Sequence, residues 1–517
     1  MTTLFRKVLV ANRGEIAIRI LRTLREMGLR SVAVYSEADR QAPHVGFADE
    51  AYAIGPALAA QSYLSADRLL GVAHRAGCDA LVPGYGFLSE NAEFARRCER
   101  EGITFVGPHP DAIEVMGLKP EARAQMAKAG VPIVPGGPAS NLDEARHTAA
   151  RVGYPVMLKA AAGGGGRGMR RVNEPGELPE SFERAQREAK SSFGDGTIYI
   201  EKEVTHARHV EVQVLGDKHG GLVHLYERDC SVQRRHQKVV EESPGPHLPE
   251  EALRGLCATA VAGARSVNYS SAGTFEFLVD EDHRFYFLEM NTRLQVEHPI
   301  TELCTGVDIV RDMIRVAAGE PLGYAQDDVS RRGAAIEVRL YAEDPSRNFM
   351  PSPGRVEYLS VPEGPGIRHD SGVCAGYEMG FDYDAMLAKL CVWAPTRPRA
   401  VERLRRALGE YDVRGLTTNL EFLKRLVDVP AFIEGRYDTG FIEQHRDLLL
   451  APSGANVEVD EKMAAAALVV ALSERAIGGV REDGSARAAG PAAERVPAGP
   501  AASGWRDAHR RRRLGMG

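Results

Sequence analysis

The chain has 517 residues, 44% apolar and 26% charged, with a formal net charge of −6. That length supplies roughly two to four domains with ample cores, and the mild acidity gives no overall attraction to nucleic acid or anionic membrane. Seven scattered cysteines, an odd number without metal-ligand spacing, fit reduced thiols; with no leader-like or membrane-length apolar stretch read, a cytoplasmic protein is the expectation.

The first section alternates strand and helix patterns. Strands are predicted at 8–11, 31–35, 80–82 and 104–106, with a helix over 15–27, which implies a parallel sheet covered on both faces by helices. The lone Gly14 after the first strand argues against dinucleotide binding there. Near Lys119, Leu118 offers no side-chain oxygen to cap the helix that follows, although Pro120 suits a first helical turn.

A short strand over 154–159 ends at Lys159 and runs into a loop with glycines at 163, 164, 165, 166 and 168 around Arg167. Backbone N–H groups in such a run can crowd around an anion. No Gly-Lys-Ser/Thr follows and no Gly-x-Gly-x-x-Gly opens a helix, so the two common nucleotide-loop motifs are excluded.

Further on, residues 274–279 read as a strand and 281–284 as a hairpin loop. A four-residue loop sets Glu276 opposite Glu289, with Cβ atoms about 5 Å apart, and two facing carboxylates repel unless a cation lies between them. From Glu289 the chain reads Glu-Met-Asn-Thr-Arg-Leu-Gln-Val-Glu. In an extended strand Glu289, Asn291, Arg293, Gln295 and Glu297 share one face. Carboxylate and amide oxygens suit a divalent cation that also touches phosphate, and Arg beside Gln and Glu can hold and deprotonate a small oxyanion. After 319, strands are predicted at 334–340, 354–359 and 387–393 in a third, mixed domain closing near 443; Cys230 reads as a small buried residue rather than a nucleophile.

Several long segments together resemble the biotin carboxylase family of ATP-grasp enzymes over about residues 5–445. They are Lys7-Val8-Leu9-Val10-Ala11-Asn12-Arg13-Gly14-Glu15, Pro83-Gly84-Tyr85-Gly86-Phe87-Leu88-Ser89-Glu90-Asn91, the glycine loop, the stretch from Glu227 to Lys238, the Glu289 row continuing into His298-Pro299, Glu337-Val338-Arg339-Leu340-Tyr341, and Pro351-Ser352-Pro353-Gly354. The implied fold is α/β and α+β: an ATP-grasp enzyme with an N-terminal Rossmann-like parallel domain at 1–117, an ATP-grasp domain at 118–320 with a glycine-loop lid at about 135–203, a mixed C-terminal domain at 334–445, and a partly helical, low-complexity tail at 446–517.

The resemblance also implies roles. Glu276, Glu289 and Asn291 would ligate Mg²⁺ or Mn²⁺. Lys119, Lys159, Gly165, Gly166 and Met169 would cover the ATP phosphates; Glu201, Lys202, Val204 and Leu278 would line the nucleotide pocket, with His209, Gln233 and His236 on its ribose and phosphate side. Lys238, Arg293, Gln295, Val296 and Glu297 would form the bicarbonate site, and Tyr85 and Arg339 would meet biotin. Glu297 would take the bicarbonate proton, ATP would yield carboxyphosphate, and Arg339 would steady the biotin enolate; Glu297, Arg293, Arg339 and Lys238 are thus the implied catalytic set. The family pattern carries Asp where Leu118 stands. No Ala-Met-Lys-Met signature for biotin attachment occurs, so biotin is expected on a separate carrier protein, with separate carboxyltransferase subunits and a homodimeric enzyme. Acetyl-CoA is the expected final acceptor, with propionyl-CoA, methylcrotonyl-CoA or pyruvate assemblies as alternatives and a non-biotin ATP-grasp carboxylate–amine ligase further off. In the tail, residues 458–475 read as a helix, 486–502 as a linker, and Ser503-Gly504-Trp505-Arg506 resembles a segment that precedes other domains in multidomain carboxylases.

Overall fold

The computed structural model describes residues 4–161 and 169–451. Gly165, Gly166 and the helix, linker and Ser503–Arg506 segment expected over 458–506 lie outside the described residues.

Five parallel strands open the fold: β1 (Lys7–Val10), β2 (Arg30–Ser36), β3 (Glu50–Gly55), β4 (Ala80–Val82) and β5 (Thr104–Phe105), in spatial order β3-β2-β1-β4-β5. The parallel sheet expected there is present, with β3 as a strand the sequence reading omitted. Between β1 and β2 runs helix α1 (Gly14–Glu26), whose Ile16, Ala17, Ile20, Leu21 and Leu24 recur at helical spacing and are buried. Val8 and Val10 pack with this stripe on one face, while Leu9, Val32 and Val34 face Leu69, Leu70 and Phe94 on the other.

Four antiparallel strands, β6 (Gly136–Ala139), β7 (Val156–Ala160), β8 (Arg170–Val172) and β9 (Ile198–Lys202), form a small sheet in the order β6-β9-β7-β8. It carries its own core of Val156, Leu158, Phe182, Ile198 and Ile200. The helix Lys119–Lys128 leads into it; as its sequence implies, Leu118 makes no side-chain cap bond.

The central sheet has eight strands. It begins β14 (Phe285–Asn291), β13 (Ser271–Val279), β10 (Arg208–Gly216), β11 (Leu222–Arg234), β12 (Gln237–Ser243) and β15 (Ala334–Tyr341), and continues into strands Met386–Ala394 and Ile367–Ser371. The strands at 334–341 and 386–394, expected in the third, mixed domain, hydrogen-bond onto this sheet: Val240 pairs with Val338, and Arg339 with Lys389. The strand predicted at 354–359 is instead two short ones, Gly354–Arg355 and Tyr358–Ser360, which pair with different partners.

The hairpin β13–β14 sets Glu276 opposite Glu289 as expected, by a different route. The loop holds five residues rather than four, because the Asp280 carboxylate accepts the N–H groups of Asp282 and Arg284 and gathers residue 280 into the turn. A bulge at Leu288 absorbs the extra residue, so Phe277 pairs with Phe287 while Glu276 still pairs with Glu289.

Candidate active site

Glu211, Glu276 and Glu289 stand directly opposite one another on β10, β13 and β14, a rung of three carboxylates across three strands. Like charges in that register destabilise a sheet unless cations lie among them. Lys238, reaching in from β12, is the principal one. Its ammonium donates to Glu211 at 2.5 Å, Glu276 at 2.9 Å and Glu297 at 2.7 Å, using all three of its protons. Burial alone would lower its pKa; the three carboxylates outweigh burial and raise it well above the ordinary lysine value.

Glu297 sits between two cations. One carboxylate oxygen accepts from Lys238 and the other from Arg339 at 3.0 Å. Burial would push its pKa up, but Lys238, Arg339 and Arg228 hold it well below the usual carboxylate range. Glu276 is likewise held low against burial, by Lys238 and His209. Glu289 goes the other way: burial and the facing Glu276 raise it, with Lys119, 3.7 Å away, only partly opposing them.

The row from 289 to 297 is not one continuous strand. β14 ends at Asn291, because the Thr292 N–H leaves the ladder to bond Glu90 and a helix with Pro299 in its first turn begins at His298. Gln295 and Glu297 converge with Glu276 through this turn rather than through the pleat. Gln295 donates to Glu276 at 2.8 Å and accepts from Arg228 at 2.9 Å. Arg293 makes no hydrogen bond to Glu297: it donates to Glu90 at 2.9 Å and to the Asn291 side-chain oxygen Oδ1 at 2.8 Å. Asn291 consequently turns its NH₂ to Glu276 at 2.9 Å and spends its oxygen on Arg293.

The other expected residues fall into two groups. Around the small sheet, the Lys159 ammonium bonds Glu201, whose other oxygen accepts from Arg123 at 2.8 Å. Lys202 donates to the Gly153 and Tyr154 carbonyls, so its charge faces the sheet's own turn. Val204 and Met169 are half-buried nearby. On the central sheet, His209 lies 3.0 Å from Glu276 and pairs across the ladder with Leu278. Gln233 approaches His209 at 3.5 Å, while burial and the charges of Lys159 and His209 depress the pKa of His236.

On the far side, Arg339 is shared between Glu297 and Glu241, the latter at 2.6 Å. Burial raises the Glu241 pKa to about 7 against the pull of Arg339. The Tyr85 hydroxyl donates to Glu15, and Val296 gives its carbonyl oxygen to Lys389 at 2.7 Å.

Sequence reasoning missed Glu211, Arg228, Glu90 and Glu241. Glu211 was available by the alternation used for Glu289: His209, Glu211 and Gln213 alternate on one strand. Glu90 was not, because it reaches Arg293 from the N-terminal sheet, more than 200 residues away in sequence. Cys230 is fully buried, with its thiol pushed up by burial, as expected of an inert cysteine.

Residues 4–113 match the model of the biotin carboxylase N-terminal domain, 119–325 that of the carbamoyl-phosphate synthase L chain ATP binding domain, and 337–444 that of the biotin carboxylase C-terminal domain. Biotin carboxylase 2 of Bacillus subtilis is 52% identical over 444 residues, covering 86% of this chain and 100% of that protein. Methylcrotonoyl-CoA carboxylase subunit alpha, mitochondrial, of Mus musculus is 51% identical over 472 residues, covering 91% of this chain and 66% of that one. The biotin carboxylase domain dimer of Hydrogenobacter thermophilus 2-oxoglutarate carboxylase, crystallised with MgADP, ADP and bicarbonate, superposes with a TM-score of 0.83 at 47% identity, over 86% of this chain and 99% of that one. The chain belongs to the biotin carboxylase family, enzymes of the ATP-grasp ligase class.

Proposed function

We propose that the chain uses ATP and bicarbonate to carboxylate biotin presented on a separate carrier protein, the first half-reaction of acetyl-CoA carboxylase. The observation that carries this is the Glu297 carboxylate clamped between Lys238 and Arg339, beside a rung of acidic residues.

The donor set fits a hard divalent cation, Mg²⁺ or Mn²⁺. Glu276 and Glu289 are opposed oxygen ligands, and the Glu289 side chain is 42% exposed with a lysine no nearer than 3.7 Å. Glu276, Glu289 and Asn291 would hold the ion, Asn291 after turning its oxygen inward from Arg293. When bound, the ion supplies charge neutralisation on the nucleotide phosphates.

Glu297, kept ionised, is the base for the bicarbonate proton. Bicarbonate entering between Lys238 and Arg293 draws the ammonium away from Glu297, which raises its basicity as the proton moves. Gln295 and the main chain at Val296 complete the anion site. Lys119, Lys159, Gly165, Gly166 and Met169 serve the phosphates, and Glu201, Lys202, Val204, Leu278, His209, Gln233 and His236 the rest of the nucleotide. Tyr85 and Arg339 meet biotin, and the Arg339 guanidinium offsets the negative oxygen that develops on the ring.

Acetyl-CoA as final acceptor, and with it fatty acid synthesis in the cytoplasm, is the first reading. The 51% identity to a methylcrotonoyl-CoA carboxylase subunit over 91% of the chain supports assembly with a different carboxyltransferase as the second. A homodimer with domains at 1–117, 118–320 and 334–445, and with residues 446–517 meeting a partner subunit, completes the reading. ATP hydrolysis is measured with bicarbonate, with and without free biotin. Stimulation requiring both supports the proposal; bicarbonate-independent ligation of an amine to another carboxylate overturns it.

A further inference from the structure

Lys389, in the strand Met386–Ala394, has no exposed side-chain surface. An ammonium is costly to bury, and a methionine would fill the same space without that penalty. What the charge does there is visible in its partners. Its Nζ donates to the Val296 carbonyl at 2.7 Å and lies 3.1 Å from Glu15 of α1. The same Glu15 carboxylate accepts the Tyr85 hydroxyl.

Two further contacts lock the ends of this chain of groups. The Asn12 amide donates to the Pro83 and Tyr85 carbonyls at 2.6 and 2.7 Å, fixing the main chain that carries the tyrosine. Gly372 packs so closely on α1 that a Cβ there would fall 2.8 Å from the Glu15 nitrogen. Lys389 also stands directly across the ladder from Arg339, two cations opposed within one sheet. That register costs free energy, and Glu15 on one side with Glu241 and Glu297 on the other offset it.

We propose that Lys389 is a positioning residue for biotin carboxylation: its single buried ammonium sets the Tyr85 hydroxyl, through Glu15, and the main chain that precedes Glu297. The biotin side and the bicarbonate side are thereby held at one fixed spacing. This rests on the roles given above to Tyr85 and to residues 296–297.

The test is a double-mutant cycle on biotin-stimulated ATP hydrolysis by the full chain, with free biotin varied. Lys389→Met is expected to lower kcat/KM for biotin by about 10- to 100-fold, the range seen when a supporting partner of a site residue is removed, and to leave KM for ATP unchanged. Adding Tyr85→Phe to Lys389→Met costs little more, because the hydroxyl has already lost its anchor. Glu15→Gln, which keeps the size but removes the charge that ties Lys389 to Tyr85, reads the same coupling should Lys389→Met not fold. Multiplicative effects of the two substitutions, or parental kcat/KM for biotin in Glu15→Gln, overturn the inference. An unmodified chain without biotin-stimulated hydrolysis overturns the functional reading instead, so the two failures are distinct.

Discussion

Replacing Lys238 by Met removes the one ammonium that serves Glu211, Glu276 and Glu297 together. Breaking a buried ion pair by deleting one partner costs about 3–5 kcal/mol, mostly from the charge left behind. Here three carboxylates lose a shared partner, so the upper part of that range applies at neutral pH. At about 2 °C per kcal/mol for a chain larger than 150 residues, Tm falls by roughly 8–10 °C.

The pH dependence sharpens this. With Lys238 present, the folded-state pKa values of Glu276 and Glu297 lie well below their unfolded ones. Their contribution to stability is therefore full above the unfolded carboxylate range, and is lost only as pH falls through the depressed folded values. Without the ammonium both lose their largest opposing charge and rise, with Arg339 and Arg228 still facing Glu297 and His209 still facing Glu276. The lost stability is greatest at neutral pH and is relieved as the carboxyls protonate at lower pH. Melting followed by circular dichroism at pH 8 and pH 5.5 compares the two proteins. The Tm gap is expected to narrow clearly at the lower pH; an equal gap at both would refute the electrostatic account of the rung.

Glu297→Gln is expected to abolish bicarbonate-dependent ATP hydrolysis while nucleotide affinity, read by titration calorimetry, stays near parental; full hydrolysis in that variant refutes the base assignment. Glu289→Gln keeps the side-chain size but weakens one cation ligand, and should raise the Mg²⁺ concentration needed for half-maximal activity by about 10-fold or more, in a metal titration at saturating ATP. Alkylation of the native chain at pH 7.5, mapped by mass spectrometry, should mark the exposed Cys374 and leave buried Cys230 unmodified; labelling of Cys230 would remove the ground for calling it inert.

How far the sequence could be read is clearest around the acidic rung. The facing of Glu276 and Glu289 was legible because hairpin register depends on local turn residues, and the loop and bulge errors of one residue each cancelled. The polar row along 289–297 was legible as residue types but not as geometry. Strand periodicity places side chains only while the ladder lasts, and the ladder ends at Asn291, where the Thr292 N–H goes to Glu90. That bond is tertiary, and no local pattern announces it. The same holds for Lys389, whose buried charge becomes sensible only once Glu15 and Val296 are brought beside it. The parallel N-terminal sheet was legible from short apolar runs spaced by helices, except for β3, whose residues are mostly half-buried.

The pairing of Val240 with Val338 and of Arg339 with Lys389 has a consequence for dissection of the chain. A cut near residue 330 would strip β12 of its neighbour and leave a raw hydrogen-bonding margin on each fragment, prone to sticking to other chains. Neither piece would retain a working centre, since one keeps the ammonium at 238 and the other the guanidinium at 339. On the roles proposed for Lys238 and Arg339, fragments made this way regain activity only by annealing with each other.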